Sequence, residues 1–455
     1  MFTREELDKV IKAYDIRGLV DEQITPDFTF VLGTAFARFL IEEREPATVV
    51  IGEDMRPSSD ELATAFADGL NSQGIDAIRI GLASTDMLYF ASGSLNLPGA
   101  MFTASHNPAA YNGIKMAKSG ARPIGAESGL LRIKDLMVQG VAMRPGSIGR
   151  TSSKELLNDY INFLLSLFKS DEFTSGRRLK VVVDAGNGMA GFTAPALMAR
   201  LNVDLVPLYF ELDGNFPNHE ANPIDPKNLV DLVKRVKKEK ADIGLAFDGD
   251  ADRCFLVDER GELVNPSALT SLIAIRELKR KPGSTIIYNL ISSQAVPEIV
   301  QEHGGKPLRS RVGHSYIKKM MAESGAIFGG EHSGHFYFSD FWRADSGALA
   351  ALFAIAELSH SSEPLSQLLA PLNRYFSSGE INTVVEDPTQ SVEFIKASFQ
   401  TDYKIDELDG VTVTGPDWWF NVRPSNTEPL LRLNVEASSP EQMVQVREQV
   451  LALIG

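Results

Sequence analysis

The sequence has little that crosslinks, spans a membrane or attracts nucleic acid. A single cysteine, Cys254, stands among 455 residues. That excludes an intramolecular disulfide framework and fits a reducing compartment, so a cytoplasmic protein is expected. Cys254 itself reads as a small buried hydrophobe. Positive charge is in deficit: Lys plus Arg number 45 against 60 for Asp plus Glu, a formal charge of -15. A nucleic-acid or anionic-membrane partner is therefore not expected, because phosphate backbones demand clustered cations, although a small anion can still enter a locally basic cleft. The longest apolar helix-like run, Gly347 to Leu358, falls short of the roughly 20 residues that cross a bilayer and reads as a core helix. The start, MFTREELDKVIKAYDIRG, lacks the basic region and apolar core of a signal peptide, so no export is expected.

What is present is the material of a multidomain soluble protein. Hydrophobic residues make up 44% and charged residues 23%, and the chain exceeds what one hydrophobic core supports, which predicts about three or four domains. A short β-branched run, a Gly/Asp/Ser loop and an amphipathic helix recur, the pattern of α/β layers with largely parallel strands. Three such units are clear. ATVVIG (47–52) leads to a helix over Glu61 to Leu70, LKVVVDAGNG (179–188) to one over Pro195 to Leu201, and STIIYNLISS (284–293) to one over Gln294 to Glu302. From Glu380 on, strands INTVV, VTVTG and LLRLNVEA cluster before a closing helix, Pro440 to Leu453, as in an α+β domain. Gly/Ser-rich and turn-rich stretches at 144–153, 258–266 and 359–364 punctuate the chain.

Four loops carry chemistry. TASHNP (103–108) follows an apolar run, so the Ser105 hydroxyl on a sharp loop can accept a phosphoryl group; the plain alternative is a turn closed by Asn107-Pro108. DGDADR (248–253) alternates carboxylates at Asp248, Asp250 and Asp252, hard oxygen ligands suited to Mg²⁺. A calcium-binding hand would find its twelfth-position Glu at Glu259, but Arg253 stands where its turn glycine belongs and Phe255 to Val257 read as a strand. A solvated acidic turn is the other alternative.

GGEHSGH (329–335) offers Glu331, His332, Ser333 and His335 between glycines, groups that hydrogen-bond sugar hydroxyls; a Gly-rich turn or a zinc site on His332 and His335 are the rival readings. RPSNTEP (423–429) sets Arg423, Ser425, Asn426 and Thr427 on a tight loop that can wrap a phosphate dianion, or simply cap a turn. Together the four supply what phosphoryl transfer to a sugar needs, and Arg17, Lys115, Arg253 and Arg423 can focus an anionic substrate.

KAYDIRG (12–18), TASHNP, DGDADR, GEHSGH and RPSNTEP, in that order, resemble the α-D-phosphohexomutase superfamily along essentially the whole chain, within it the phosphomannomutase/phosphoglucomutase type. The resemblance implies four domains around a central cleft, three related α/β domains with mixed sheets and a smaller α+β C-terminal domain. The matching boundaries are 1–148 for the phosphoserine domain, 149–258 for the metal-binding domain, 259–372 for sugar recognition and 373–455 for phosphate binding. It implies interconversion of hexose 1-phosphate and hexose 6-phosphate through phosphorylated Ser105, with Mg²⁺ on Asp248, Asp250, Asp252 and a phosphoserine oxygen, and hexose 1,6-bisphosphate as bound intermediate and activator. Arg17, His106, Lys115 and Arg253 would surround the transferring group. Tyr14, His314, Glu331, His332 and Ser333 would contact substrate, Arg423, Ser425, Asn426 and Thr427 would grip the distal phosphate, and His335 or Lys115, with lowered pKa, would be the base.

A phosphosugar is the expected partner, and the chain a monomer or homodimer. The run Asn289-Leu290-Ile291-Ser292-Ser293 stands where dual-specificity relatives often place a Lys, which leaves mannose and glucose both open. Phosphoglucosamine mutase is the near alternative, its phosphate loop usually having Gly where Asn426 stands. A serine phosphatase would be expected to need a second metal with His ligands, and a non-catalytic phosphosugar-binding regulator to have lost Ser105 or an Asp.

Overall fold

A computed structural model describes residues 2–142, 146, 148–424 and 430–454, with the side chains of residues 314 and 315 outside the description. The chain forms two compact units, Met1–Val264 with Ser333–Ser366, and Asn265–His332 with Gln367–Gly455. Across them it builds three α/β layers and one antiparallel sheet backed by helices, the four-domain α/β architecture expected.

The first sheet of the first unit runs Ile16–Leu19, Tyr111–Lys118, Gly99–Phe102, Thr48–Glu53, Asp76–Leu82, Thr151–Ser153. Thr48–Glu53 pairs in parallel with both neighbours, whereas Tyr111–Lys118 is antiparallel to Gly99–Phe102 and Ile16–Leu19. The mixed topology turns the chain back at 103–110, so the TASHNP loop sits at the C-terminal edge of a central strand, where loops carry function in such sheets.

Helix Pro26–Glu42 starts on Thr25, whose side chain accepts from Phe28 N, with Pro in its first turn. It packs on Ser59–Asn71 through facing glycines: a Cβ on Gly33 would lie 2.2 Å from Phe66 O, and one on Gly69 2.2 Å from Phe30 O. Backbone meets backbone there, with no flexible side chain to yield. Gly69→Ala is therefore expected to lower stability by about 2–3 kcal/mol, read as a shifted urea midpoint at unchanged slope.

The second sheet runs Cys254–Asp258, Ile243–Phe247, Leu179–Asp184, Val203–Leu208, the first pair antiparallel and the others parallel. Helix Ala190–Met198 begins earlier than its proline suggests: Gly191 N and Thr193 N already bond Gly188 O and Met189 O, and Pro195 lies inside the helix. Helix Gly347–Ser359 is the core helix expected, buried at every position but Glu357.

In the second unit, Thr285–Asn289 pairs in parallel with Lys306–Ser310 and Phe328–Gly330. The C-terminal sheet is antiparallel, Phe376–Val384, Leu430–Ala437, Trp418–Pro424, Val411–Thr414, Lys404–Asp406. Its apolar face, including Val413, Phe420, Val422, Leu431, Leu433 and Val435, packs under helices Pro388–Phe399 and Pro440–Ile454. Alternation sends Asn421 and Arg423 to the other face.

Candidate active site

Ser105 is 3% exposed and takes φ 51°, the left-handed region that a non-glycine residue enters at a cost. Its Oγ donates to Asp248 Oδ2 at 2.9 Å and accepts from Arg253 Nη2 at 3.3 Å, and it lies 3.3 Å from His106 Nδ1. Burial, then the nearby Arg253 and Arg17, keep the His106 pKa well below the ordinary value, so the imidazole is neutral and serves Arg253 as acceptor.

Arg17 donates to Asp15 Oδ2 at 2.8 Å and to Asn107 Oδ1 at 2.6 Å, which places its cation beside the serine loop. Tyr14, half-buried, precedes the strand that bears Arg17.

DGDADR is a loop between Ile243–Phe247 and Cys254–Asp258, with Ala251 at φ 60°. The carboxylates of Asp248, Asp250 and Asp252 are buried and offer one oxygen each within 4.8 Å of one another. Asp250 Oδ1 and Asp252 Oδ1 are buried without a hydrogen-bond partner. Three hard oxygens, two of them spare, fit Mg²⁺.

The remaining oxygens are committed: Lys115 Nζ bonds Asp250 Oδ2 and Asp252 Oδ2, both at 2.6 Å, and Arg253 Nε bonds Asp248 Oδ2 at 2.7 Å. Desolvation pushes Asp248 up against the pull of Arg253. For Asp250 desolvation works the same way, but Lys115 and the Thr85 hydroxyl at 2.5 Å overcome it and hold the carboxyl well below the usual range. The calcium-hand reading fails on geometry: Glu259 lies beyond the strand Cys254–Asp258 and accepts from Ser366 N at 3.1 Å.

The two candidate bases differ from expectation. Burial alone would lower Lys115, yet Asp250 and Asp252 hold it well above the ordinary lysine value. His335 likewise rises despite desolvation, through Asp252 and through Asp345, whose Oδ2 is 2.8 Å from His335 Nδ1. Neither has the lowered pKa expected of it, because both face carboxylates. A zinc site joining His332 to His335 does not form among the described residues; His335 groups with Asp252 and Asp345 instead.

In the second unit, Glu331 is buried and accepts from Gly313 N at 3.0 Å, against the start of helix His314–Ser324. His332 Nδ1 has no hydrogen-bond partner, and desolvation lowers the ring's pKa. Arg423, 4% exposed, reaches Glu380 Oε2 at 2.5 Å and Asn434 Oδ1 at 2.9 Å. Ser425, Asn426 and Thr427, and the His314 side chain, lie outside the described residues, and Ser333 belongs to the first unit.

Residues 8–138, 158–261, 265–375 and 380–453 match the phosphoglucomutase/phosphomannomutase α/β/α domains I, II and III and C-terminal domain, in order. The chain belongs to the phosphoglucomutase/phosphomannomutase family. It is 36% identical over 450 residues to a phosphomannomutase of Escherichia coli (strain K12), covering 97% of each, and 37% identical over 444 residues to a protein of Xanthomonas campestris pv. campestris named phosphohexose mutases, covering 97% of this chain and 98% of that one. A crystal structure of a phosphoglucomutase/phosphomannomutase family protein from Burkholderia thailandensis superposes with a TM-score of 0.90 at 32% identity, covering 100% of this chain and 97% of that one.

Sequence reasoning missed the residues that hold these family motifs in place. Arg56 is 3% exposed and donates to the carbonyls of Ser105 (3.1 Å), Asn107 (2.7 Å), Pro108 and Tyr111 (both 2.9 Å), so one guanidinium ties the serine loop together. Thr85 bonds Asp250 twice, by N–H to its carbonyl and by hydroxyl to its carboxylate. Asp86 beside it accepts from Tyr160 Oη and Ser346 Oγ, both at 2.7 Å, and from Ser84.

Burial pushes Asp86 up to about 6 in spite of those three donors. A carboxyl with a raised folded-state pKa favours folding below its unfolded value, about 3.9, and loses that contribution as pH rises through the folded value. Asp86→Asn keeps one acceptor oxygen, enough for Tyr160 and Ser346, and removes the charge. It is expected to gain about 2 kcal/mol relative to the native chain between about pH 4 and pH 7. Melting curves that shift identically with pH in both proteins would contradict this.

Proposed function

We propose that this family member is a phosphohexomutase that interconverts hexose 1-phosphate and hexose 6-phosphate, with mannose and glucose as the sugars. The observation that carries the reading is Ser105 Oγ, strained and buried, 2.9 Å from the first carboxylate of a triad fitted to a hard divalent cation. The whole-chain likeness to proteins named phosphomannomutase and phosphohexose mutases supports mannose and glucose over glucosamine.

Ser105 stores a phosphoryl group and gives it to the free hydroxyl of a hexose monophosphate; the bound 1,6-bisphosphate then returns its other phosphoryl to Ser105. Asp248, Asp250 and Asp252 would hold Mg²⁺, which would draw charge from the transferring phosphoryl oxygens. Arg253 and Arg17, fixed by Asp248 and Asp15, steady the same charge, since such transfers depend on positioning and electrostatics.

Lys115 is fully charged here and acts as an electrostatic partner. His335, backed by Asp345, holds or moves the proton of the sugar hydroxyl. In the second unit Glu331 and His332 recognise sugar hydroxyls, and Arg423 with Ser425, Asn426 and Thr427 grips the phosphate that is not reacting. His314, Tyr14 and Ser333 complete the contacts. All these groups come from one chain, so a monomer or homodimer suffices, and the cytoplasm is the compartment.

The test is a coupled assay with mannose 1-phosphate, glucose 1-phosphate and glucosamine 1-phosphate in Mg²⁺ and a trace of hexose 1,6-bisphosphate. Turnover of the first two with little of the third is expected. No turnover of any of the three would sink the reading.

A further inference from the structure

Asp252, His335 and Asp345 form a second compact group: each offers one ligand atom within 4.8 Å of the others. His335 Nδ1 is 2.8 Å from Asp345 Oδ2 and 3.8 Å from Asp252 Oδ1. Tetrahedral bonds of about 2.0–2.2 Å separate neighbouring ligand atoms by about 3.3 Å, so the two distances straddle what one zinc ion requires. The carboxylate side chains are 1% and 2% exposed and the imidazole 16%, which shields the group while leaving one approach.

The donors differ from those of the aspartate triad. One imidazole nitrogen with two carboxylate oxygens suits zinc, whereas three oxygens suit magnesium. Asp252 Oδ2 is bonded by Lys115, so Oδ1, buried with no hydrogen-bond partner and the atom nearest His335, is the one oxygen open to both groups. One oxygen serving both groups would set two metals about 3.5–4 Å apart, the separation of two-metal sites.

The backbone is pinned on both sides. Arg253 and His335 form an antiparallel bridge, Cys254 N donates to Gly334 O at 3.3 Å, and Ser346 N donates to Phe336 O at 3.0 Å. A Cβ on Gly347 would meet Arg253 O at 2.7 Å and Ala251 O at 2.8 Å, so the segment bearing Asp345 runs directly against the DGDADR loop. Arg253 Nε, 4.0 Å from Asp252 Oδ1, and Lys115 Nζ, 2.6 Å from its Oδ2, oppose a cation there, while Asp345 and the His335 ring face it from the other side.

We infer that Asp252, His335 and Asp345 bind a zinc ion beside the magnesium triad, with Asp252 shared, and that zinc at this position inhibits the enzyme. Binding rests on the geometry. Inhibition rests on the proposed function, since zinc on Nδ1 removes the nitrogen through which Asp345 orients His335.

The probe is ZnCl2 added to the full chain in saturating MgCl2. Expected are one zinc per chain by calorimetry, an anomalous peak at the zinc edge between His335 and Asp345, and inhibition over the same zinc range that excess Mg²⁺ does not relieve. Asp345→Asn should weaken zinc binding at least tenfold. Should that variant fail to give a native melting transition, His335→Gln should show the same loss.

A zinc peak only among Asp248, Asp250 and Asp252, inhibition reversed by magnesium, no zinc uptake, or unchanged affinity in the folded variants would each overturn the inference. Calorimetry and diffraction need no turnover. A zinc-binding protein without mutase activity would thus fail the proposed function alone, and an active mutase without the zinc peak would fail this inference alone.

Discussion

Intact-mass analysis is expected to find a phosphoryl adduct on the native chain and none on Ser105→Ala, with turnover lowered by about 10⁴-fold or more, as loss of a nucleophile does. The variant should keep its fold. Its hydroxyl donates to Asp248 and accepts from Arg253, and these two bond each other at 2.7 Å, so neither is left unpaired. The serine loop is held through its carbonyls by Arg56, which no change at Cβ disturbs. Alanine also fits φ 51° no worse than serine does. An unaltered melting temperature with the adduct still present would move the nucleophile elsewhere, whereas Arg56→Lys should keep the adduct chemistry while losing turnover, because an ammonium cannot span four carbonyls.

Asp250→Asn and Asp248→Asn make the same change of charge and are expected to have different effects on stability. On the proposed function each removes a magnesium ligand, and turnover should fall by about 10²–10³-fold with a matching rise in the magnesium needed for half-activity. Asp250 is held ionised by Lys115 and Thr85, so its replacement takes one of the two carboxylates that Lys115 bonds and should cost about 2 kcal/mol. A depressed carboxyl contributes stability above its unfolded pKa and loses it on acidification, so the deficit should narrow as pH falls.

Asp248 is pushed up, first by desolvation, against the pull of Arg253, so its charge is held less firmly and its replacement should cost less than that of Asp250 near neutral pH. Urea titrations of both variants, without added metal, separate the two cases. Equal losses would mean that Lys115 does not neutralise Asp250 in the way its bonds suggest.

The reactive loops were legible because they concentrate unusual residue types: Ser-His at the end of an apolar run, three alternating aspartates, two histidines between glycines. The α/β rhythm was legible for the same local reason, with periodicity visible over ten residues. What stayed hidden depends on distance along the chain. Thr85 and Asp86 lie in STDMLYF, a sequence that advertises only a helix start, and their partners Asp250 and Ser346 are 165 and 260 positions away. Asp345 sits in an unremarkable ADSG, and Arg56 resembles a solvated charge until four carbonyls converge on it. The raised pKa values of Lys115 and His335 were invisible for the same reason, since each is set by carboxylates from other segments. Helix Ala190–Met198 was misplaced because proline normally marks a first turn, whereas here two carbonyls ahead of it had already begun the helix.

The first unit is interrupted by the whole of Asn265–His332 and finished by Ser333–Ser366. During synthesis the ribosome therefore delivers Asp252 well before His335 and Asp345, and before the helix Gly347–Ser359 that fills the unit's interior with Leu349, Leu352, Phe353 and Ile355. A nascent chain ending near Val264 therefore lacks the helix that fills that interior and two of the three groups that gather at Asp252. The core closes only when the late segment arrives, so Ser105 is enclosed together with the core around it, and premature release of the chain is expected to yield an aggregation-prone fragment.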